Sequence, residues 1–146
     1  MNAADQAISI SRVSKLAATI NLFQTYFPCA RVDLSPWQVD SQTRIYEDKS
    51  SLDLAFHFPN RHAACQCTSM LMQIQLQHRN RAGVDTAISI ELTGHDSCRQ
   101  QWQLATAIAW RFTGDTVPTV EAAATLEGIC RQVLMVFSGA PQPFLQ

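Results

Sequence analysis

Apolar residues recur at three- and four-residue spacing near each end of the chain. Val13, Leu16, Ala17, Ile20, Phe23 and Phe27 form the first stripe, widened by Leu22 and Tyr26. This spacing predicts a helix from Ser9 or Ser11 to Phe27, with serine as the N-cap and Pro28 ending it. Val120, Ala123, Ala124, Glu127, Cys130, Leu134 and Phe137, with Ile129 and Val133 beside them, form the second. The second helix is expected to start between Thr116 and Thr119, with Pro118 tolerated in its first turn and Gly139 as its stop.

Between the helices the period is two. Val32 and Leu34 alternate with Arg31 and Asp33, and Pro36 marks this segment as a sheet edge. Thr43 to Glu47 reads as a short strand, and Asp48 to Ser51 as a turn. Leu52, Leu54, Phe56 and Phe58 point one way and Asp53, Ala55 and His57 the other; Pro59 and Asn60 close that strand. Cys65 to His78 is the longest extended segment, with Met70, Met72, Ile74 and Leu76 opposite Leu71, Gln73, Gln75 and Gln77. Arg79 to Asp85 reads as a hairpin loop. Ile88, Ile90 and Leu92 continue the alternation, and Gly94 to Gln100 reads as a loop. Trp102, Leu104, Ile108, Trp110 and Phe112 predict a last strand, with Ala105, Ala107 and Ala109 on its other face.

Short connections between consecutive strands imply antiparallel meander pairing. The fold class expected is α+β. It is a single domain with a mainly antiparallel five- or six-stranded sheet, and an N-terminal and a C-terminal helix on one face. The helices should cover Leu54, Phe56, Met72, Ile74, Ile90, Leu104 and Trp110. Residues 1–8 read as a flexible lead-in, 9–138 as the domain, and 139–146 as an extended tail.

Composition narrows the function classes. A chain of 146 residues can bury roughly 70% of its unfolded surface and needs no disulfide or metal to fold. Charged residues are 16% against a usual value of about 25%, and the net charge is −1. Nucleic-acid binding needs clustered Lys and Arg, and only Arg79 and Arg81, beside His78, group together, in what reads as a solvated turn. Five cysteines without a CxxC pair, no signal peptide and no apolar run of membrane length predict a cytoplasmic protein with free thiols.

Candidate chemistry is sparse. His57, His62, Cys65 and Cys67 are four good zinc ligands within 11 residues. They fall on two different strands, and C-x-C is not knuckle spacing, so buried structural cysteines are the expectation and no metal is assigned. Gly94-His95-Asp96-Ser97-Cys98 holds a base, an acid and two nucleophile types, but neighbours in one loop rarely aim at one atom, and a turn is expected. No nucleotide, protease or hydrolase motif occurs, so neither a catalytic residue nor a cofactor is assigned.

Partner binding has more support. The face away from the helices combines small residues (Ala105, Ala107, Ala109, Ser89, Ser69) with amides (Gln73, Gln75, Gln77, Gln103). Phe144 and Leu145 in the tail could dock on this domain or another chain. Terminal helices on a central sheet, with a Gln-rich and Lys-poor composition, resemble small bacterial α+β chaperones, and in particular the shell-assembly chaperones of cyanobacterial β-carboxysomes. That resemblance of size and layout implies transient binding of a shell subunit, without cofactor or catalysis.

The function expected is a non-enzymatic protein–protein interaction module, an assembly chaperone or adaptor for a cytosolic complex. Its partner is another protein, with no nucleic acid and no membrane, and a homodimer is possible by symmetry. The alternatives are a small-molecule or metal-binding enzyme using His57, His62 or His95, and a permanent regulatory subunit of a photosynthetic complex.

Overall fold

The computed structural model describes residues 1–38, 50–79, 84–97 and 99–138, and side chains are described for these except at 78, 79, 84 and 85. The elements in chain order are α1 (Ala3–Gln6), α2 (Ile10–Tyr26), β1 (Arg31–Asp33), β2 (Ser51–His62), β3 (Cys67–Arg79), β4 (Val84–Asp96), β5 (Arg99–Ala105), a 3-10 turn (Thr106–Ile108), β6 (Arg111–Gly114) and α3 (Val120–Phe137). The six strands form one antiparallel sheet in sequence order. This is the α+β meander that the alternation predicts. The strand expected at Thr43 to Glu47, the hairpin residues 80–83 with Arg81, Cys98, the stop at Gly139 and the tail lie outside the described residues.

Both long helices have side-chain caps. The Ser9 hydroxyl accepts from Arg12 N at 3.2 Å, and the Thr119 hydroxyl accepts from Ala122 N at 3.2 Å. The buried stripes are rotated from those the spacing predicts. On α2 the buried positions are Arg12, Leu16, Thr19 and Phe23, whereas Val13 is 49% exposed. On α3 they are Ala122, Leu126, Ile129, Cys130, Val133 and Phe137, whereas Val120 is 82% exposed. Apolarity alone ranked Val13 above Arg12. The guanidinium is nonetheless satisfied in place, donating to the backbone and side-chain oxygens of Gln6.

That contact belongs to a packed N-terminal segment where a flexible lead-in was expected. Ala3 is fully buried, Asn2 bridges to Asp53 beside β1, and Asp53 accepts from Trp37 Nε1 at 2.7 Å, from the Met1 amino group at 2.8 Å and from Ser51.

The core lies between the sheet and the two long helices. Leu52, Leu54, Phe56, Met70, Met72, Ile74, Ile90, Leu92 and Leu104 are at most 2% exposed. Phe23 of α2 stacks on Phe56 with ring centroids 3.8 Å apart, and this contact anchors the helix to the sheet.

Three strands depart from expectation. β2 continues through Pro59 to His62, because β1 starts opposite His57 and, among the described residues, that edge of β2 is unpaired beyond it, and because the register shifts there. β4 runs on through Gly94 to Asp96 instead of ending in a loop, and Ile88 is bulged out and 58% exposed where Ser89 and Ala87 pair with Gln75 and Leu76.

The stretch expected as one last strand is two. β5 ends at Ala105, a 3-10 turn follows, and Ala109 and Trp110 both take φ of 60°. The chain then returns as β6, pairing Leu104 with Phe112. Trp110 therefore leaves the strand and packs half-buried against the edge of the core, with its ring 4.3 Å from the Arg131 guanidinium of α3. The buried tryptophan is Trp102, whose Nε1 donates to the Cys65 carbonyl at 2.7 Å.

Candidate functional site

Strand alternation sends every second side chain to the sheet face turned away from α2 and α3. Two polar zones form there, one on the length of β3, β4 and β5, the other at the end of the sheet where β1 pairs with β2.

In the first zone Gln73 pairs with Glu91, Gln75 with Ser89, and Glu91 with Ala105. Gln103 Nε2 donates to Glu91 Oε1 at 2.7 Å, and Gln75 donates to Ser50. Gln73, Gln75, Glu91 and Gln103 are half-buried, and Ala105 is buried between them. The structure thus brings Gln73, Gln75 and Ala105 together as the alternation predicts. It removes Ala107 and Ala109 from this face: both are exposed on the β5–β6 connection. A continuous period-two pattern hid the turn because alanine fits helix, turn and strand alike. Phe144 and Leu145 lie outside the described residues.

The second zone crosses three strands. His57 pairs with Arg31 on one side and Ser69 on the other. Its Nε2 lies 3.0 Å from Asp33 Oδ2, and its Nδ1 lies 2.9 Å from Ser69 Oγ. The hydrogen bond from His57 holds the Asp33 carboxyl below its ordinary range, helped by the Ser35 amide and the Arg31 charge and opposed by partial burial. An ionised carboxylate only accepts, so Nε2 carries a proton, and in the neutral imidazole Nδ1 is left to accept from the Ser69 hydroxyl. Ser69 in turn pairs with His95, whose Nε2 lies 2.8 Å from Thr93 Oγ1 and whose pKa is lowered by burial.

Beside His57 opens a pocket of about 350 Å³, lined by Cys29, Arg31, His57, Phe58 and Pro59. Nothing in local sequence marks this array. Asp33, His57 and Ser69 are separated by 24 and 12 positions and meet only through strand register.

The four candidate metal ligands do not converge. His57 faces Asp33 and Ser69, whereas His62 packs edge-on against Phe27 and accepts from the Cys65 amide. Cys65 and Cys67 are fully buried, and burial pushes each thiol up to about 12. Among the described residues no group of three or more His, Cys, Asp or Glu is placed to hold a metal ion. The segment Gly94 to Ser97 is mostly strand: Gly94 underlies Trp102, and Asp96 faces Arg61 at 3.5 Å. Among the described residues no helix is long and apolar enough to cross a membrane.

The fold is an antiparallel α+β domain with two long helices on one face and an amide-rich polar face on the other. The chain belongs to a family described as a domain of unknown function, whose model matches residues 4–139. No protein of curated function and no solved structure matches it.

Proposed function

We propose that this domain is a protein-binding module, acting as an adaptor or assembly chaperone, and that it docks its partner on the amide zone of β3, β4 and β5. The observation that carries this is the row Gln73, Gln75 and Gln103 around buried Ala105, with Glu91 already accepting from Gln103. Amides offer hydrogen bonds at a smaller desolvation cost than ions, and a small residue at the centre lets a partner's backbone approach closely. A subunit of a carboxysome shell is the finer proposal, resting on layout and composition alone.

The test begins with a tagged bait in native lysate, followed by reconstitution of the purified pair and titration. Gln73→Arg and Gln103→Arg should each weaken binding at least about 30-fold, as for a hot-spot position, with unchanged melting temperature. Ala107→Arg, on the β5–β6 turn, should leave affinity intact. Equal affinity of the Gln73 and Gln103 variants and wild type would sink the amide zone as the docking site. A native mass of twice the chain, lost in Gln73→Arg, would identify a second copy as the occupant.

A further inference from the structure

The array at the β1–β3 end of the sheet points to chemistry that a binding face does not need. We propose that Ser69 is a nucleophile, activated by His57 and positioned through Asp33, that hydrolyses small carboxylic esters bearing a negative charge.

The three side chains have the connectivity of a nucleophile, a base and a carboxylate that orients the base. His57 Nε2 donates to Asp33 Oδ2 at 3.0 Å, and His57 Nδ1 faces Ser69 Oγ at 2.9 Å. Both distances are within hydrogen-bond reach, and the His57 and Asp33 side chains are 31% and 34% exposed, so a substrate can approach them. Three adjacent strands hold the groups, a more rigid support than loops. The pocket of about 350 Å³ shares His57 with the array and places the Arg31 cation near the apolar walls of Phe58 and Pro59. An ester with a short anionic arm suits that lining. The amide zone lies farther along β3: Ser69 and Gln73 are about 13 Å apart at ordinary strand rise.

The step balances with water as the only co-reactant. Ser69 Oγ bonds to the ester carbonyl carbon as its proton passes to His57 Nδ1. The carbon–oxygen bond to the leaving alkoxide breaks, and the same proton returns to that oxygen. Water then attacks the acyl-serine, again through His57, and releases the acid and free Ser69.

The experiment treats the full wild-type chain with an alkyl fluorophosphonate. Intact mass and peptide mapping are then read. One adduct on Ser69 is expected, forming about 10²–10⁴-fold more slowly in His57→Gln, the usual range for loss of a general base. Turnover of mono-4-nitrophenyl succinate should exceed that of 4-nitrophenyl acetate in wild type and lose that preference in Arg31→Ala. Asp33→Asn should lower kcat with KM within about twofold, and Asp33→Glu should restore part of it. No adduct on Ser69 of the folded wild type, or an adduct forming equally fast in His57→Gln, overturns the proposal. So does ester turnover that survives Ser69→Ala. Because labelling of wild type needs no variant to fold, a misfolded mutant does not rescue the idea.

Discussion

Replacing Gly94 with alanine should cost this protein several kilocalories, although it adds one methyl group. Gly94 pairs with Trp102 across β4 and β5, and the indole lies over the glycine. A Cβ at 94 would sit 2.6 Å from Trp102 Cζ2 and closer still to Cε2 and Nε1, well inside van der Waals contact. The ring cannot slide freely. It is fully buried, its Nε1 donates to the Cys65 carbonyl at 2.7 Å, and it meets Phe112 edge-on at 5.4 Å. Moving it leaves a buried donor and acceptor unpaired, about 1–3 kcal/mol, on top of about 1–3 kcal/mol of overpacking. A total of roughly 2–6 kcal/mol is expected, lowering Tm by about 6–20 °C for a domain of this size. Urea melts followed by far-UV circular dichroism measure it. In a Trp102→Leu background the same substitution should cost at least about 1 kcal/mol less, because the clashing ring is gone. A Gly94→Ala protein within about 0.5 kcal/mol of wild type, or strict additivity in the double variant, would refute the close approach.

Two further outcomes follow from the titrating groups. Burial pushes the thiols of Cys65, Cys67 and Cys130 up to about 12, so at pH 8 a thiol reagent should modify exposed Cys29 quickly and these three only on unfolding; rapid native modification at Cys65 would contradict the packing. Asp33 is lowered by its hydrogen bond with His57, so its contribution is present above about pH 4 and lost as pH falls through the folded value. His95 is lowered by burial, so its contribution is present above about pH 6.5 and lost as pH falls below that. Stability against urea should therefore fall on acidification in both windows. His95→Gln should flatten the upper one and Asp33→Asn the lower, and unchanged slopes in the variants would remove those assignments.

Much of the fold was legible in the chain. Alternation at Leu52–Phe58 and Met70–Leu76 sorts residues by face, and the pleat keeps that sorting whatever the partner strand. Ser9 and Thr119 mark helix starts because a side-chain oxygen satisfies a free amide locally. Alternation also placed Gln73 and Gln75 on the polar face.

Packing decided the rest. Arg12 lies on the inward side of α2, where Gln6 receives its guanidinium, and that contact reaches outside the helix. The turn at Thr106–Trp110 breaks an apparently continuous strand, because β5 returns on itself as β6 and Arg131 receives the Trp110 ring. Asp33, His57 and Ser69 became neighbours only when β1, β2 and β3 took their register, since a polar residue on a strand carries no local sign of what lies opposite it. Local physics set the faces and the helix starts, because both are satisfied within a few residues. The two polar zones belong to the tertiary structure, because each is assembled from strands that touch only after the sheet has formed.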